Sequence, residues 1–143
     1  MAIYYGKGSK EAILSNLGSE LGEITGIQFV DYQRVYNSGI DKDKYPGVFI
    51  NDLRTDKTRV LKDVVRNIFT VGIVGFVWVD DDEDLATELN SFMESVKDKL
   101  MEDNTRSSNA YDTRITTIET DAGSRHPQGV FIIILEILFF SSE

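Results

Sequence analysis

The sequence predicts a single α+β domain: a mostly antiparallel, curled β-sheet with two helices packed on it, in the order α-β-β-β-α-β-β. Three observations predict it. Two segments, Glu11 to Leu21 and Leu85 to Leu100, carry apolar residues at helical spacing. The other ordered segments are rich in β-branched and aromatic residues. Most strands follow one another through short connections, as in an antiparallel sheet. At 143 residues the chain suits one domain, 1–143.

The first helix places Ile13, Leu14, Leu17 and Leu21 on one stripe. Ser9 is its expected N-cap and Gly22 its expected C′ stop. Ile27 to Tyr36 reads as a strand, and Asn37 to Pro46, with Gly39 and alternating Asp and Lys, as a surface loop. Gly47 to Leu53 reads as a short strand with Val48 and Ile50 on one face, and Arg54 to Lys57 as a turn. Thr58 to Val65 fits one helical turn or an irregular strand. Asn67 to Val79 is apolar on both faces, which predicts a central strand covered on both sides. Gly72 and Gly75 inside it mark a bend or close packing of a helix.

Five acids, Asp80 to Asp84, open the second helix and complement the positive end of its dipole. Leu85, Leu89, Phe92, Met93, Val96 and Leu100 carry that helix to about Met101. Asp103 to Ala110 is a polar loop. Tyr111 to Thr120 is a half-exposed strand, with Ile115 and Thr117 set against Arg114, Thr116 and Ile118. Asp121 to Gln128 is a connection, and Gly129 to Phe140 a final strand apolar on both faces. Two helices cannot cover both faces of five strands. Either the sheet curls or one face meets another subunit.

Composition removes several function classes. Fifteen basic residues against 24 acidic ones give a net charge of −9, which disfavours a protein built to grip phosphates. There is no Cys, so disulfides, thiol catalysis and Cys-ligated zinc are excluded. One His, His126, cannot build a His-based metal cluster. The longest apolar run, Val130 to Phe140, is broken by Glu136 and is shorter than the ~20 residues of a spanning helix. The first ten residues lack a signal-peptide apolar region. A chain kept in a reducing compartment, with no membrane partner, is the expectation.

Each candidate site has a plainer reading. Asp80, Asp82 and Asp84 alternate as in a calcium loop. No Gly or closing Glu follows, so a solvated helix start is favoured. His126 with Asp121 and Ser124 lacks a nucleophile motif and reads as a surface residue. Gly6-Lys7-Gly8-Ser9 lacks the full phosphate-loop pattern and reads as a helix-capping turn. Glu136, an acid in an apolar strand, is expected to face an Arg or a wet seam between subunits. Arg54, Lys57, Arg59, Lys62 and Arg66 form a basic stretch on an acidic chain, either a charged hairpin or a docking arm. As a docking arm it is expected to be mobile in the free monomer and to order on assembly.

The whole-chain pattern resembles the tail terminator, or tail completion, proteins of long-tailed bacteriophages. The resemblance covers residues 9 to 140 and lies in element order, length and texture. It is carried by the strand entry Tyr45-Pro46-Gly47-Val48-Phe49-Ile50 and the strand Phe69-Thr70-Val71-Gly72-Ile73-Val74-Gly75-Phe76 running into the acidic helix start. The closing pair Arg114 to Gly123 and Gly129-Val130-Phe131-Ile132-Ile133 completes it. It implies a non-enzymatic structural protein without metal or cofactor. Such a protein forms a hexameric ring on the tail tube, stops tube growth and meets the head connector. The implied partners are further copies of the chain, a tail tube protein and a head–tail connector protein. DNA would only pass through the lumen, whose acidic wall repels phosphate. The implied location is the virion, after assembly in the host cytoplasm. Two other classes stay open: a small ferredoxin-like ligand-binding or regulatory domain, and a small hydrolase, which the lone His and the missing nucleophile motif disfavour.

Overall fold

Seven elements follow one another along the chain: α1 (Lys10–Gly22), β1 (Phe29–Tyr32), β2 (Gly47–Leu61), β3 (Val64–Trp78), α2 (Asp82–Met101), β4 (Asp112–Thr120) and β5 (Gln128–Ser142). They come from a computed structural model that describes residues 9–32, 45–80, 82–121 and 127–142. The order is the one the sequence predicts. The strands form one open sheet in the order β1-β2-β3-β5-β4. Every pairing is antiparallel except β1 with β2, which run parallel from Phe29 opposite Gly47.

Helix α1 begins as expected: the Ser9 hydroxyl accepts a hydrogen bond from the Ala12 amide at 3.2 Å. Its end differs. Gly22 is still helical, and the cap is Glu23; the Glu23 amide donates to the Glu20 carbonyl and the Ile24 amide to the Leu21 carbonyl. The left-handed residue comes later, at Gly26 (φ 88°). A right-handed capping turn satisfies the last carbonyls, so Gly22 has no left-handed role to play. Strand β1 starts two residues later than predicted, because Ile27 donates back to Ile24 in a turn. The predicted extension to Tyr36 and most of the Asn37–Pro46 loop lie outside the described residues.

The largest departure is in β2. The predicted turn at Arg54 to Lys57 and the ambiguous stretch after it are one continuous strand, paired with β3 out to Leu61 opposite Val64. A β-bulge between Asp52 and Arg54 lets the ladder continue past an extra residue. The two-residue turn at Lys62 and Asp63 closes the hairpin. From Arg54 to Arg59 the arm is polar on both faces and mostly exposed, so it carries no alternation for a sequence reading to detect. Strand β4 holds a second bulge, between Ile115 and Thr117. It puts Ile115 and Ile118 on the same face, where simple alternation opposes them.

Both helices lie on one face of the sheet. Ile13, Leu17 and Leu21 of α1 and Leu85, Leu89, Val96 and Leu100 of α2 share one buried cluster with Phe69, Val71 and Ile73 of β3. From β5 the same cluster takes Phe131, Ile133, Leu135 and Ile137. Gly75 is needed there. A Cβ at this position would stand 2.1 Å from the Phe131 ring on the facing strand. The sequence reading expects a bend or close packing of a helix here; the close contact at Gly75 is instead made by this ring from the neighbouring strand β5. The Phe92 ring of α2 packs edge-on against Phe131 at 5.7 Å.

Candidate functional site

The opposite face of the sheet carries no helix. At one end it holds a small aromatic cluster, with Tyr45, Phe49 and Phe76 buried and Phe29, Val74, Trp78 and Val130 against them. Tyr45 meets Phe76 edge-on at 5.0 Å, and Phe29 meets Phe49 at 5.4 Å. Beyond that cluster the face is an open apolar stripe. Ile132, Ile134, Leu138 and Phe140 of β5 and Ile68 of β3 are each only half-buried. Their neighbours on the helix side, Ile133, Leu135 and Ile137, are fully buried. Leu53, at the β2 bulge, is 49% exposed and lies over Gly72, its Cδ1 only 3.2 Å from where a Cβ would stand. Strand β5 is thus apolar on both faces, as predicted, but helices cover only one of them.

Glu136 sits in this stripe and faces an arginine, as the sequence reading expected. The partner is in the same chain. Arg114 lies directly opposite it on β4, and its Nε and Nη2 donate to Glu136 Oε1 at 3.1 and 2.7 Å. Arg114 is 72% exposed and Glu136 30%. The pair borders a hollow of about 280 Å³ with Arg66, Ile68, Asp112 and Leu138. The antiparallel register of β4 on β5 selects Arg114, and no spacing rule reveals that register from sequence.

The five basic residues lie on the β2–β3 hairpin, all exposed but not on one patch. Arg54 and Arg66 project on the helix-free face, Lys57 and Arg59 on the other, and Lys62 at the turn. Arg54 is paired with Asp56, its Nη2 2.9 Å from Oδ2. Lys57, Lys62 and Arg66 form no ion pair among the described residues. The segment is a paired ribbon within the single chain.

Arg106 was not singled out by the sequence, because an arginine in a polar loop is ordinarily exposed. Its side chain is fully buried. Nη2 donates to the backbone carbonyls of Leu100 and Asp103, capping the end of α2. Nη1 lies 3.6 Å from Glu20 of α1. Burial lowers the Arg106 pKa against the pull of Glu20 and Asp103, and burial raises that of Glu20 against the pull of Arg106. Arg106, Ser107 and Ser108 all adopt left-handed backbone, with φ of 51°, 55° and 66°. Asp103 holds this loop by accepting from the Thr105 hydroxyl, the Thr105 amide and the Ser107 amide at 2.6, 3.0 and 2.7 Å. Lys99 also ties the helices, bridging Glu23 and Glu102 at 3.0 and 3.1 Å. These groups fasten α1 to α2.

Asp80 accepts from the Trp78 indole at 2.9 Å. No group of three metal-ligating side chains converges among the described residues. His126, Ser124 and Gly6 to Gly8 lie outside the described residues. No described helix is long and apolar enough to cross a membrane.

No family model matches the chain, and no curated protein matches it. Among solved structures, it is similar to a chain in one described as "Virion of native gene transfer agent (GTA) particle". That likeness spans 96% of this chain and 98% of the other, at 6% identity and a TM-score of 0.45.

Proposed function

We propose that this chain is a structural subunit of a phage virion. It forms a ring at the end of the tail tube, terminates tube polymerisation and joins the tail to the head connector. It is not an enzyme and uses no cofactor. The observation that carries this reading is the apolar helix-free face, where Ile68, Ile132, Ile134 and Leu138 stay half-exposed beside the protruding Leu53. Each square ångström of such surface removed from water contributes about 25 cal/mol, so a partner laid on this face gains stability from residues already in place. The resemblance in element order to tail terminator proteins supplies the partners: further copies, a tail tube protein and a head–tail connector protein. The net charge of −9 suits a lumen through which DNA slides.

The experiment is negative-stain electron microscopy of the purified chain. The expected result is closed rings, hexameric by the resemblance, with an open centre. Isolated monomers at high protein concentration, melting higher in the presence of a small molecule, would instead favour a ligand-binding domain.

A further inference from the structure

The two edges of the sheet are a matched pair. On one side, among the described residues, β1 pairs with β2 from Gly47 to Ile50, and no described strand lies against the outer edge of β2 from Leu53 to Leu61. On the other side, β4 pairs with β5 alone. An open strand edge is a row of backbone donors and acceptors that another strand can complete. We propose that the subunits join by sheet addition: the edge of β4 in one copy pairs antiparallel with the outer half of β2 in the next. This rests on the ring reading above and names the contact that closes the ring.

Direction comes first. From β2 through β3 and β5 to β4 every pairing is antiparallel, so β4 runs opposite to β2. A second copy placed beside the first, with its sheet faces aligned, therefore sets β4 antiparallel to β2. Length agrees as well. β4 has 9 residues, and residues 53–61 of β2 offer a run of the same extent. Exposed apolar side chains gather at the same two edges: Leu53, Val60 and Leu61 on β2 (49, 43 and 66% exposed), and Tyr111 and Ile118 along β4 (49 and 38%).

Charge decides which edge meets which. The β2 side carries Arg54, Lys57, Arg59 and Lys62 against Asp56 and Asp63. The β4 side carries Asp112, Glu119 and Asp121, and its one cation, Arg114, is held by Glu136. Pairing β2 with β2, or β4 with β4, sets like charges together, whereas β2 with β4 sets opposite charges together. The contact is thus head-to-tail, the type that generates rings when the rotation closes. The bulges in both strands twist these edges and disfavour flat, indiscriminate partners.

The chain has no cysteine, which makes the test clean. Asp56 and Thr117 are exposed, share the helix-free face and stand opposite each other when residues 112–120 lie antiparallel on 53–61. Within one chain β3 and β5 lie between them, a gap of about 14 Å at ~4.8 Å per strand, too far for a disulfide. The double variant Asp56→Cys/Thr117→Cys, and a second with Thr58→Cys in place of Asp56→Cys to allow for register, are oxidised and run on non-reducing gels. At least one double variant is expected to give a ladder of dimer, trimer and higher species, and every single variant only monomer. If neither double variant cross-links while light scattering shows assembly, edge pairing is wrong and the ring reading survives. Dimers from a single variant would mean like edges meet, which overturns the head-to-tail contact. A wild-type chain that stays monomeric in scattering removes both the proposal and the ring reading.

Discussion

Gly75 and Asp103 are two residues whose roles rest on particular contacts. Replacing Gly75 with Ala drives a methyl into the Phe131 ring, which Phe92 blocks from behind. The expected loss is about 1–3 kcal/mol, as for overpacked cores, read as a lower urea midpoint. A midpoint equal to wild type would show that the ring moves aside freely. Asp103 acts through charge as well as shape. Hydrogen bonds, first that from the Thr105 hydroxyl, hold its carboxyl below the ordinary 3.8. Its stabilisation is therefore fully present above that value and is lost as pH falls through the lower folded value. Asp103→Asn is expected to melt below wild type at pH 7, by about 1 kcal/mol, with the gap narrowing as pH drops below 3.8. A gap that widens in acid would contradict this role. The loop itself was legible as the polar stretch Asp103 to Ala110, but the hydrogen bonds of Asp103 and the burial of Arg106 were not, because polar residues at no fixed period look alike whether buried or wet.

Strand β5 carries the clearest contrast between fold and assembly, at adjacent positions. Ile133 is fully buried under the helices, and Ile132 is half-exposed on the bare face. Ile133→Asp buries an unpaired charge and is expected to unfold the chain, by more than about 4 kcal/mol. Ile132→Asp is expected to keep the monomer's circular dichroism and to weaken oligomerisation. If both variants fold alike, the assignment of the two faces is wrong. The sequence showed these two faces, and both helices, because period 2 and period 3.6 are strong signals in apolar segments. It missed the hairpin arm and the β4 bulge. In the arm, pairing with β3 overrides the weak β propensity of Arg, Lys and Asp. In β4 an extra residue breaks the alternation between Ile115 and Ile118. The basic cluster was legible as a list of residues, but its division between two faces was not, since only the register assigns it.

At the scale of the whole molecule, electrostatics and apolar surface make separable contributions. Reversing Arg54, Lys57 and Arg59 to Glu alters exposed side chains that contribute little to folding. The melting temperature of the dissociated monomer is expected to stay within a degree or two, while assembly weakens. Wild-type assembly should also weaken as salt rises from low to physiological strength, because screening shortens the reach of the hairpin's charges. Assembly of the triple variant equal to wild type at low salt would take the hairpin out of the interface. The proposed function uses no bound ion, so melting with and without EDTA should coincide; a fall of several degrees on chelation would reveal a structural cation. The central claim is that a single chain leaves an apolar sheet face and two sheet edges for other copies to cover. Native mass spectrometry at low salt tests it most directly. The account predicts a closed assembly at six times the 16.1 kDa chain mass, and a monomer that persists at every concentration would contradict it.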